Sequence, residues 1–458
     1  MTSDTPARLP ISTMVAYSAP NVAMGAMSVA VFVYLPAYFA GHLGVSLAVV
    51  GGVWMGIRLI DLPIDWLIGL AMDRTRTRIG RYKPWALAAA PVLALGIWQL
   101  FMAPKGFGVA YLGPWLLFMY LGYSGAWLSM QALGASLAAH YDDRSKLFAV
   151  QAAMGVMGVL AALSLPIVGK PYGLSDADAV RGMGVFIVVA APLGIALAAL
   201  LVKEVVIELP RGARGSPLSA YLAVLREPAS VRLFLAQFCV TLGPGWMSAL
   251  YLFYFRQVRH YSTESASILL AVYILAGLPG AALGSFLSQR IGKHRALMAM
   301  CAGFSISLPS VLFIPLGAVW AAVPFMLWAG AMASAFGLII QAMLADVGDK
   351  LRLDHDREQM SLVYAMNTSA AKIAAAFSIG LTFPLLQVLG FNPVEGVRNT
   401  PEALDRLQWA FLSGPVVFVI LGGVCVVGWR LDAARHADIR AQLEARDRLT
   451  TGLVAPAE

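Results

Sequence analysis

Residues 45–72 read VSLAVVGGVWMGIRLIDLPIDWLIGLAM. As a helix, this stretch is long enough to cross the roughly 30 Å hydrocarbon core of a bilayer, so it predicts a membrane span. Three charged residues, Arg58, Asp61 and Asp65, interrupt it, and charges inside a span are rare unless they have a function. Because Asp61 and Asp65 are one helical turn apart, both carboxylates lie on one face and can close around one small cation or share a proton.

The depth of the two carboxylates supports a site inside the membrane. At a helical rise of 1.5 Å per residue, Asp61 lies about 18 Å and Asp65 about 12 Å from the predicted membrane exit at Asp73. Arg58 adds a fixed positive charge on nearly the same face and can neutralise one carboxylate. The alternative is a structural role, in which the acids hold helices together through Arg58 and the intramembrane cation Lys372.

Apolar segments of similar length recur along the whole chain. With 458 residues, 59% hydrophobic and 13% charged residues and a mean hydropathy of +0.73, the chain is too apolar for a soluble enzyme of this length. We therefore expect an all-α membrane protein with about twelve transmembrane helices. The predicted spans are 13–41, 45–72, 84–104, 110–139, 147–169, 183–203, 231–258, 263–289, 296–316, 319–345, 360–389 and 408–430.

Basic residues are distributed by loop rather than gathered in one patch. Every connection after an even-numbered span is basic, whereas the connections after spans 1 and 9 contain neither Lys nor Arg. By the positive-inside rule both termini are cytoplasmic, and we expect a multi-pass protein of the bacterial cytoplasmic membrane. The net charge of +8 therefore reflects membrane topology, and we expect no nucleic-acid partner.

Neither the N-terminus nor the cysteines indicate another kind of protein. The first ten residues carry one basic residue, Arg8, and the following apolar run exceeds a signal core, which predicts a first transmembrane helix. Cys239, Cys301 and Cys425 fall within predicted spans without paired spacing. We expect packing residues there rather than a disulfide or a zinc site.

The longest polar interruption divides the spans six and six. It predicts two pseudo-symmetric six-helix bundles, 1–203 and 231–430, joined by a cytoplasmic linker, 204–230, and followed by a cytoplasmic tail, 431–458. The basic turn after span 2 has a weaker echo after span 8, at 288–295. Matching turns in both halves indicate the internal repeat of secondary transporters, whose substrate sites lie between the halves.

Further polar residues inside spans are candidates for substrate contact or gating. Lys372 can reach the two aspartates across a two-half architecture and compete with the coupling cation. For most of the others, polar packing between helices is an equally good account. The substrate candidates are Tyr123, Trp127, Gln131, Gln151, Asn367 and Thr368, and the gating candidates in the basic loops are Asp73, Arg78, Arg81, Asp346 and Arg357.

Two motifs together resemble one family. The stretch from Arg58 through Asp61 and Asp65 to Trp85 resembles the second-helix signature of the glycoside–pentoside–hexuronide cation symporters, a branch of the major facilitator superfamily. Residues 343–346 and 364–372 are similar to that family's tenth and eleventh helices. The resemblance covers most of the chain and implies the major facilitator fold, Asp61 and Asp65 as cation-binding carboxylates, Lys372 as the coupling lysine, and Asn367 and Thr368 near the sugar.

The chain departs from this family at the residues that bind sugar. The family's first-helix acid falls near Gly25, its fourth-helix acid at Gln131 and its fifth-helix arginine at Gln151. The asparagine between the cation carboxylates is Ile64 here, and a fourth-helix oxygen ligand is replaced by Leu128, with Ser129 beside it. A Na⁺ site at Asp61, Asp65 and Ser129 would thus have fewer hard donors, which leaves H⁺ or Na⁺ open as the coupling ion.

The leading hypothesis is a monomeric symporter that moves a sugar, glycoside or related small solute by alternating access, with H⁺ or Na⁺ and no other cofactor. One alternative is a proton-driven exporter, or a transporter of amphipathic, lipid-like compounds. A distant alternative is a membrane prenyltransferase, which also uses acidic pairs to hold magnesium and diphosphate. Such acids belong beside an aqueous mouth, whereas Asp61 and Asp65 lie deep in a span.

Overall fold

The computed structural model describes residues 10–106, 108–137, 141–202, 204, 217–355 and 359–452. These ranges are helical apart from short connections, and they contain no β-strand beyond one isolated bridge between Thr77 and Gly80. The gating candidate Arg357 lies outside the described residues.

Twelve long helices, α1 to α12, follow the order of the predicted spans. The helices are α1 Ile11–Gly41, α2 Leu47–Arg74, α3 Lys83–Phe101, α4 Val109–Leu137, α5 Tyr141–Gly169, α6 Asp176–Leu201, α7 Pro228–Val258, α8 Thr263–Ile291, α9 Lys293–Phe313, α10 Val319–His355, α11 Met360–Val388 and α12 Pro401–Cys425. A short helix, Pro217–Arg226, precedes α7, and a C-terminal helix, Ala433–Gly452, follows α12.

Eleven of these helices are long and apolar enough to cross a membrane. The twelfth, α4, has 29 residues and occupies the place of the predicted fourth span. The interior of α4 carries the polar and aromatic residues Tyr123, Ser124, Trp127 and Gln131, which lower its hydropathy. The all-helical membrane fold expected from composition is therefore confirmed.

Two prolines shape α1. Because proline lacks an N–H, it cannot continue the helical hydrogen bonding and favours breaks or wider turns. A break separates Ile11–Ser18 from Pro20–Val29, and a π-helical turn, Ala30–Tyr34, precedes the segment that contains Pro36. The first helix is therefore less regular than its continuous apolar sequence suggests.

Helix α6 begins at Asp176, seven residues before the predicted start at 183. A capping box fixes this start: the Ser175 hydroxyl accepts a hydrogen bond from the Asp178 N–H at 3.1 Å, and the Asp178 carboxylate accepts from the Ser175 N–H at 3.3 Å. Hydropathy marks where the apolar core of a span begins, whereas capping groups mark where the helix begins.

Glycines allow several helix pairs to approach closely. A Cβ atom at Gly25 of α1 would overlap the carbonyl of Gly155 in α5, and one at Gly158 of α5 would overlap the carbonyl of Val22 in α1. Helices α3 and α4 meet in the same way, where a Cβ at Gly122 would overlap the backbone of Leu93. Small residues at such crossings are typical of membrane helix packing, which depends on close backbone approach.

The chain forms two compact units. Unit 1 contains α1 to α6, Ser248–Ala271 and Ala376–Phe411, and unit 2 contains Arg211–Met247, Val272–Ala375 and Leu412–Glu458. Unit 1 thus combines the first six helices with the ends of α7, α8, α11 and α12 that lie away from the basic loops. We call this end of unit 1 the non-basic end. The division of the sequence into two bundles, a linker and a tail stays a prediction.

Hydrogen bonds and ion pairs at the non-basic end join α1 and α6 to α7 and α8. The Tyr34 hydroxyl and the Ser267 hydroxyl lie 2.6 Å apart, and both side chains are fully buried. The Asp176 carboxylate accepts a hydrogen bond from the Thr263 hydroxyl at 2.7 Å and pairs with the Arg256 guanidinium at 3.0 Å. These contacts surround a cavity of about 380 Å³.

We expect Tyr34→Phe to weaken the closure of this end. The change keeps the ring and removes one buried hydrogen bond, worth about 1 kcal/mol, which corresponds to about a fivefold shift in an opening equilibrium. A cysteine introduced in the cavity wall by Ala37→Cys, in a variant lacking the three native cysteines, should then react faster with a hydrophilic maleimide in detergent.

Tyr38→Phe is the matched control for this measurement. The Tyr38 hydroxyl is buried and makes no hydrogen bond within the described part of the chain, so its loss should leave the labelling rate unchanged. Equal rates for the Tyr34 and Tyr38 variants would contradict a closing role for the bond to Ser267.

Candidate coupling and solute site

The Asp61 side chain is 1% exposed in α2 and is held by two neighbours. The Arg58 Nη1 donates to its Oδ2 at 3.1 Å, and the Ser124 hydroxyl of α4 donates to its Oδ1 at 3.0 Å. The pairing of Arg58 with Asp61 follows from their spacing on one helix face. The contact with Ser124 depends on how α2 and α4 pack and could not be deduced from either helix alone.

Arg58 is also almost fully buried, at 7% exposure, and its guanidinium lies 4.7 Å from the ring centre of Tyr120 in α4. A cation over an aromatic face gains further electrostatic stabilisation in surroundings without water. Together, Arg58, Asp61, Ser124 and Tyr120 form a neutral polar cluster between α2 and α4. Removing either charge of such a pair leaves the other one buried without compensation.

Asp65 lies one turn further along α2 and is half-buried. Between the two acids, Pro63 removes a backbone N–H from the helix interior. The second carboxylate is therefore more accessible than Asp61 and stands next to a locally weakened helix.

Ser129, which the sequence suggests as a sodium ligand, is used differently. Its hydroxyl is buried and donates to the carbonyl of Gly125 in its own helix. Ser124 and Ser129 are five residues apart, so they lie on different sides of α4. The serine that touches Asp61 is Ser124, and sodium ligation by Ser129 stays a prediction.

Three of the substrate candidates line one pocket of about 270 Å³ in unit 1. We call it the amide pocket. Trp127 and Gln131 come from α4 and Gln151 from α5. Tyr123 supports the wall, because its ring stacks on Trp127 with centroids 6.2 Å apart and an interplanar angle of 7°. The remaining lining residues are Pro20, Asn21, Met24, Met130, Phe148 and Ala152.

Tyr17 of α1 positions Gln151 and was missed by the sequence analysis. Its buried hydroxyl donates to the Met130 carbonyl at 2.7 Å and also hydrogen-bonds the Gln151 side chain. The ring packs against Gly134, where any side chain would overlap the hydroxyl. A tyrosine near the start of an apolar helix resembles an interfacial anchor, so only the packing of α1, α4 and α5 identifies its role.

In unit 2, the candidates on α11 have distinct surroundings. Asn367 is buried and donates to the Gln237 side chain of α7 at 3.4 Å, whereas Thr368 is exposed and donates to the Tyr364 carbonyl at 2.9 Å. Lys372 is half-buried in the same helix. Asn367 therefore joins two helices, and Thr368 presents its side chain outward.

The basic loop after α2 is fixed by two acids. Asp73 pairs with Arg81 at 2.9 Å, while Arg78 is exposed on the loop. The Glu204 carboxylate accepts hydrogen bonds from the N–H groups of Arg81 and Lys83, at 2.6 and 3.3 Å, and from the intervening residue. Glu204 thus caps the N-terminus of α3, where a negative charge is favoured. Its sequence distance from α3 hides this role.

The gating candidate Asp346 of α10 is buried in unit 2 and binds Lys293 at 2.7 Å. Lys293 belongs to the echo of the basic turn that the sequence analysis found after span 8. His436 of the C-terminal helix lies 3.4 Å from Asp346 and 3.0 Å from Asp349. The tail after 431 is therefore helical where described and contacts α10.

No group of three or more metal-binding side chains occurs among the residues that the structure describes. Cys239, Cys301 and Cys425 are free thiols, in agreement with their expected role in packing.

Comparisons with known proteins agree with this architecture. The model of a family described as MFS/sugar transport protein matches residues 16–433. The chain is 21% identical to the isoprimeverose transporter of Lactiplantibacillus pentosus, over 93% of this chain and 89% of that one. It is 23% identical to the glucuronide carrier protein homolog of Escherichia coli K12, over 97% of both.

Among solved structures, the nucleoside transporter NupG has a similar fold. Its mutant structure superposes with a TM-score of 0.67 at 10% identity, covering 91% of this chain and 99% of that chain. At this identity the likeness concerns the fold alone, and it confirms the expected major facilitator fold.

We expect Arg58→Met to destabilise the protein by about 3 kcal/mol, because it leaves the Asp61 carboxylate buried without its cation. The double variant Arg58→Met, Asp61→Leu should recover most of this loss, since both charges are then removed. Thermal unfolding in detergent measures both effects. Equal stability of the single variant and the unmodified protein would show that the ion pair is not structurally important.

We expect Glu204→Gln to lower stability by about 1 kcal/mol, because a neutral cap interacts less favourably with the α3 N-terminus. Trypsin cleavage after the basic residues between α2 and α3 should become faster. Asp447→Asn is a suitable control, because Asp447 also pairs with an arginine at the protein surface but lies on the C-terminal helix. Cleavage of the α2–α3 loop at the same rate in both variants would argue against the cap.

Proposed function

Because the chain belongs to the MFS/sugar transport protein family, we propose that it is a proton-coupled symporter for a sugar or glycoside. The chain is a multi-pass membrane transporter rather than an enzyme, and family membership excludes the prenyltransferase alternative. Its relatives are described as transporters of isoprimeverose and as a homolog of a glucuronide carrier. These descriptions support a solute built around a sugar ring.

The buried Asp61 cluster is the observation that carries this proposal. Both carboxylate oxygens of Asp61 accept hydrogen bonds, one of them from a fixed cation, so Asp61 is stabilised in its charged form. Asp65, one turn away and less buried, is then the acid that takes up and releases the coupling proton. Its proximity to Asp61 favours the protonated form, because two charges in a low-dielectric medium repel.

Protons fit this cluster better than sodium does. A sodium ion needs several oxygen ligands at one point. The neighbours of Asp61 are a guanidinium and a hydroxyl that donate to it, and Ser129 donates within its own helix. Lys372 acts as the coupling cation of the other half and competes with the proton for the carboxylates during the cycle.

Alternating access then assigns roles to the two ends of the protein. The positive-inside rule places the basic loops and both termini in the cytoplasm, in a bacterial cytoplasmic membrane. The Tyr34–Ser267 and Asp176–Arg256 contacts of the non-basic end would form the outer gate. The Asp73–Arg81 and Lys293–Asp346 pairs support the cytoplasmic ends of the two halves.

We expect the reconstituted protein to accumulate a labelled sugar when a pH gradient, acid outside, is imposed. Isoprimeverose, lactose and methyl β-glucuronide are the solutes to test, each with pH and sodium gradients imposed separately. Asp65→Asn should abolish accumulation driven by the pH gradient but retain exchange of labelled for unlabelled solute, because exchange needs no net proton release.

Asp178→Asn is the matched control, since Asp178 is an exposed acid at the start of α6 and asparagine can also cap a helix. Unchanged accumulation in the Asp65 variant, or accumulation driven only by sodium, would contradict the proposed proton site. Solute leaving vesicles as protons enter would instead identify an exporter.

A further inference from the structure

We infer that the amide pocket binds an uncharged, hydroxyl-bearing face of the solute, so that the protein selects neutral glycosides over uronides. This inference rests on the proposed function and specifies its substrate class. None of the described side chains that line the pocket carries a charge; its polar side-chain groups are the amides of Asn21, Gln131 and Gln151 and the indole N–H of Trp127.

The bond between Tyr17 and Gln151 fixes which hydrogen-bonding group the pocket offers. The single proton of the Tyr17 hydroxyl is donated to the Met130 carbonyl. Its bond to Gln151 must therefore use the oxygen as acceptor, so Gln151 donates through its amide nitrogen. This leaves the Gln151 carbonyl oxygen as the acceptor for a solute. An acceptor pairs with a sugar hydroxyl and repels a carboxylate.

The aromatic wall favours the same kind of solute. Trp127 is 36% exposed, and the parallel stacking on Tyr123 holds its ring in place. A rigid indole can pack against the C–H face of a sugar ring or an apolar aglycone and keep its N–H for a hydroxyl. Phe148 and Met24 extend this apolar surface.

The crossing of α1 and α5 prevents a charged group from being added on the α1 side. Any side chain at Gly25, one turn after Asn21, would overlap the Gly155 carbonyl, and Gly155 is itself one turn after Gln151. The wall on this side therefore consists of close-packed backbone. Specificity has to come from the amides and from Trp127.

Phenyl β-glucoside and phenyl β-glucuronide form a matched pair of probes, because they differ only in a hydroxymethyl group and a carboxylate. Isothermal titration calorimetry on the purified protein should show at least about tenfold tighter binding of the glucoside, since a carboxylate without a cationic partner loses its hydration uncompensated. Competition against uptake of the labelled solute should give the same order.

Tyr17→Phe tests the positioning role of Tyr17. Without the hydroxyl, Gln151 can rotate, so we expect glucoside affinity to fall about fivefold and the preference over glucuronide to shrink, with KM rising and the maximal rate kept. Tyr111→Phe is the matched control, because the Tyr111 hydroxyl also donates to a backbone carbonyl, that of Gln99 at 2.9 Å, away from the pocket. It should leave both affinities unchanged.

The outcomes separate this inference from the proposed function. Proton-driven uptake together with equal or tighter binding of the glucuronide would overturn the inference alone. An unchanged preference in Tyr17→Phe, or the same change in Tyr111→Phe, would overturn the role of Tyr17. Absence of uptake and of binding for both probes would overturn the substrate class and the proposed function together.

Discussion

An ion pair with almost no access to water, between Arg58 and Asp61, sets the conditions for the rest of the first six helices. Neither charge can be accommodated in hydrocarbon unless its partner stays within hydrogen-bonding distance. The pair also requires α4, because Ser124 binds the second oxygen of Asp61 and Tyr120 covers the guanidinium. Helices α2 and α4 must therefore keep one rotation and one separation, and this fixes the surface that α4 offers to α5.

The amide pocket follows from that surface. With Ser124 directed towards α2, Trp127 and Gln131 are left on another side of α4, where they meet Gln151 of α5. Tyr17 then connects α1 to both helices through the Met130 carbonyl and the Gln151 amide. A coupling residue and a solute-binding residue are thus borne by one rigid helix, so displacement of one alters the other.

The sequence reveals features that depend on one helix. The turn between Asp61 and Asp65, the pairing with Arg58 and the order of the spans all follow from helical periodicity and hydropathy. Contacts between helices were not predictable: periodicity does not tell whether Ser124 or Ser129 faces α2, and nothing in residues 11–18 marks Tyr17 as a neighbour of Gln151. The start of α6 was misplaced because hydropathy ignores the Ser175 cap.

The same limit applies to Glu204, more than a hundred residues from the helix that it caps. By contrast, Asp346 was identified as part of a charged loop cluster because its neighbours in sequence are also charged, although its partner Lys293 comes from a different connection. Acids in loops are visible in a sequence, but their partners are set by the fold.

The contact between Gly25 and Gly155 limits how this scaffold can change over evolution. A new acidic residue at position 25 would first have to push two helices apart, and every intermediate sequence would lose the tight crossing that joins them. Descendants of this chain could acquire recognition of other sugars more readily through α4 and α5, whose side chains already border open space. The backbone crossing thus channels diversification towards one side of the pocket.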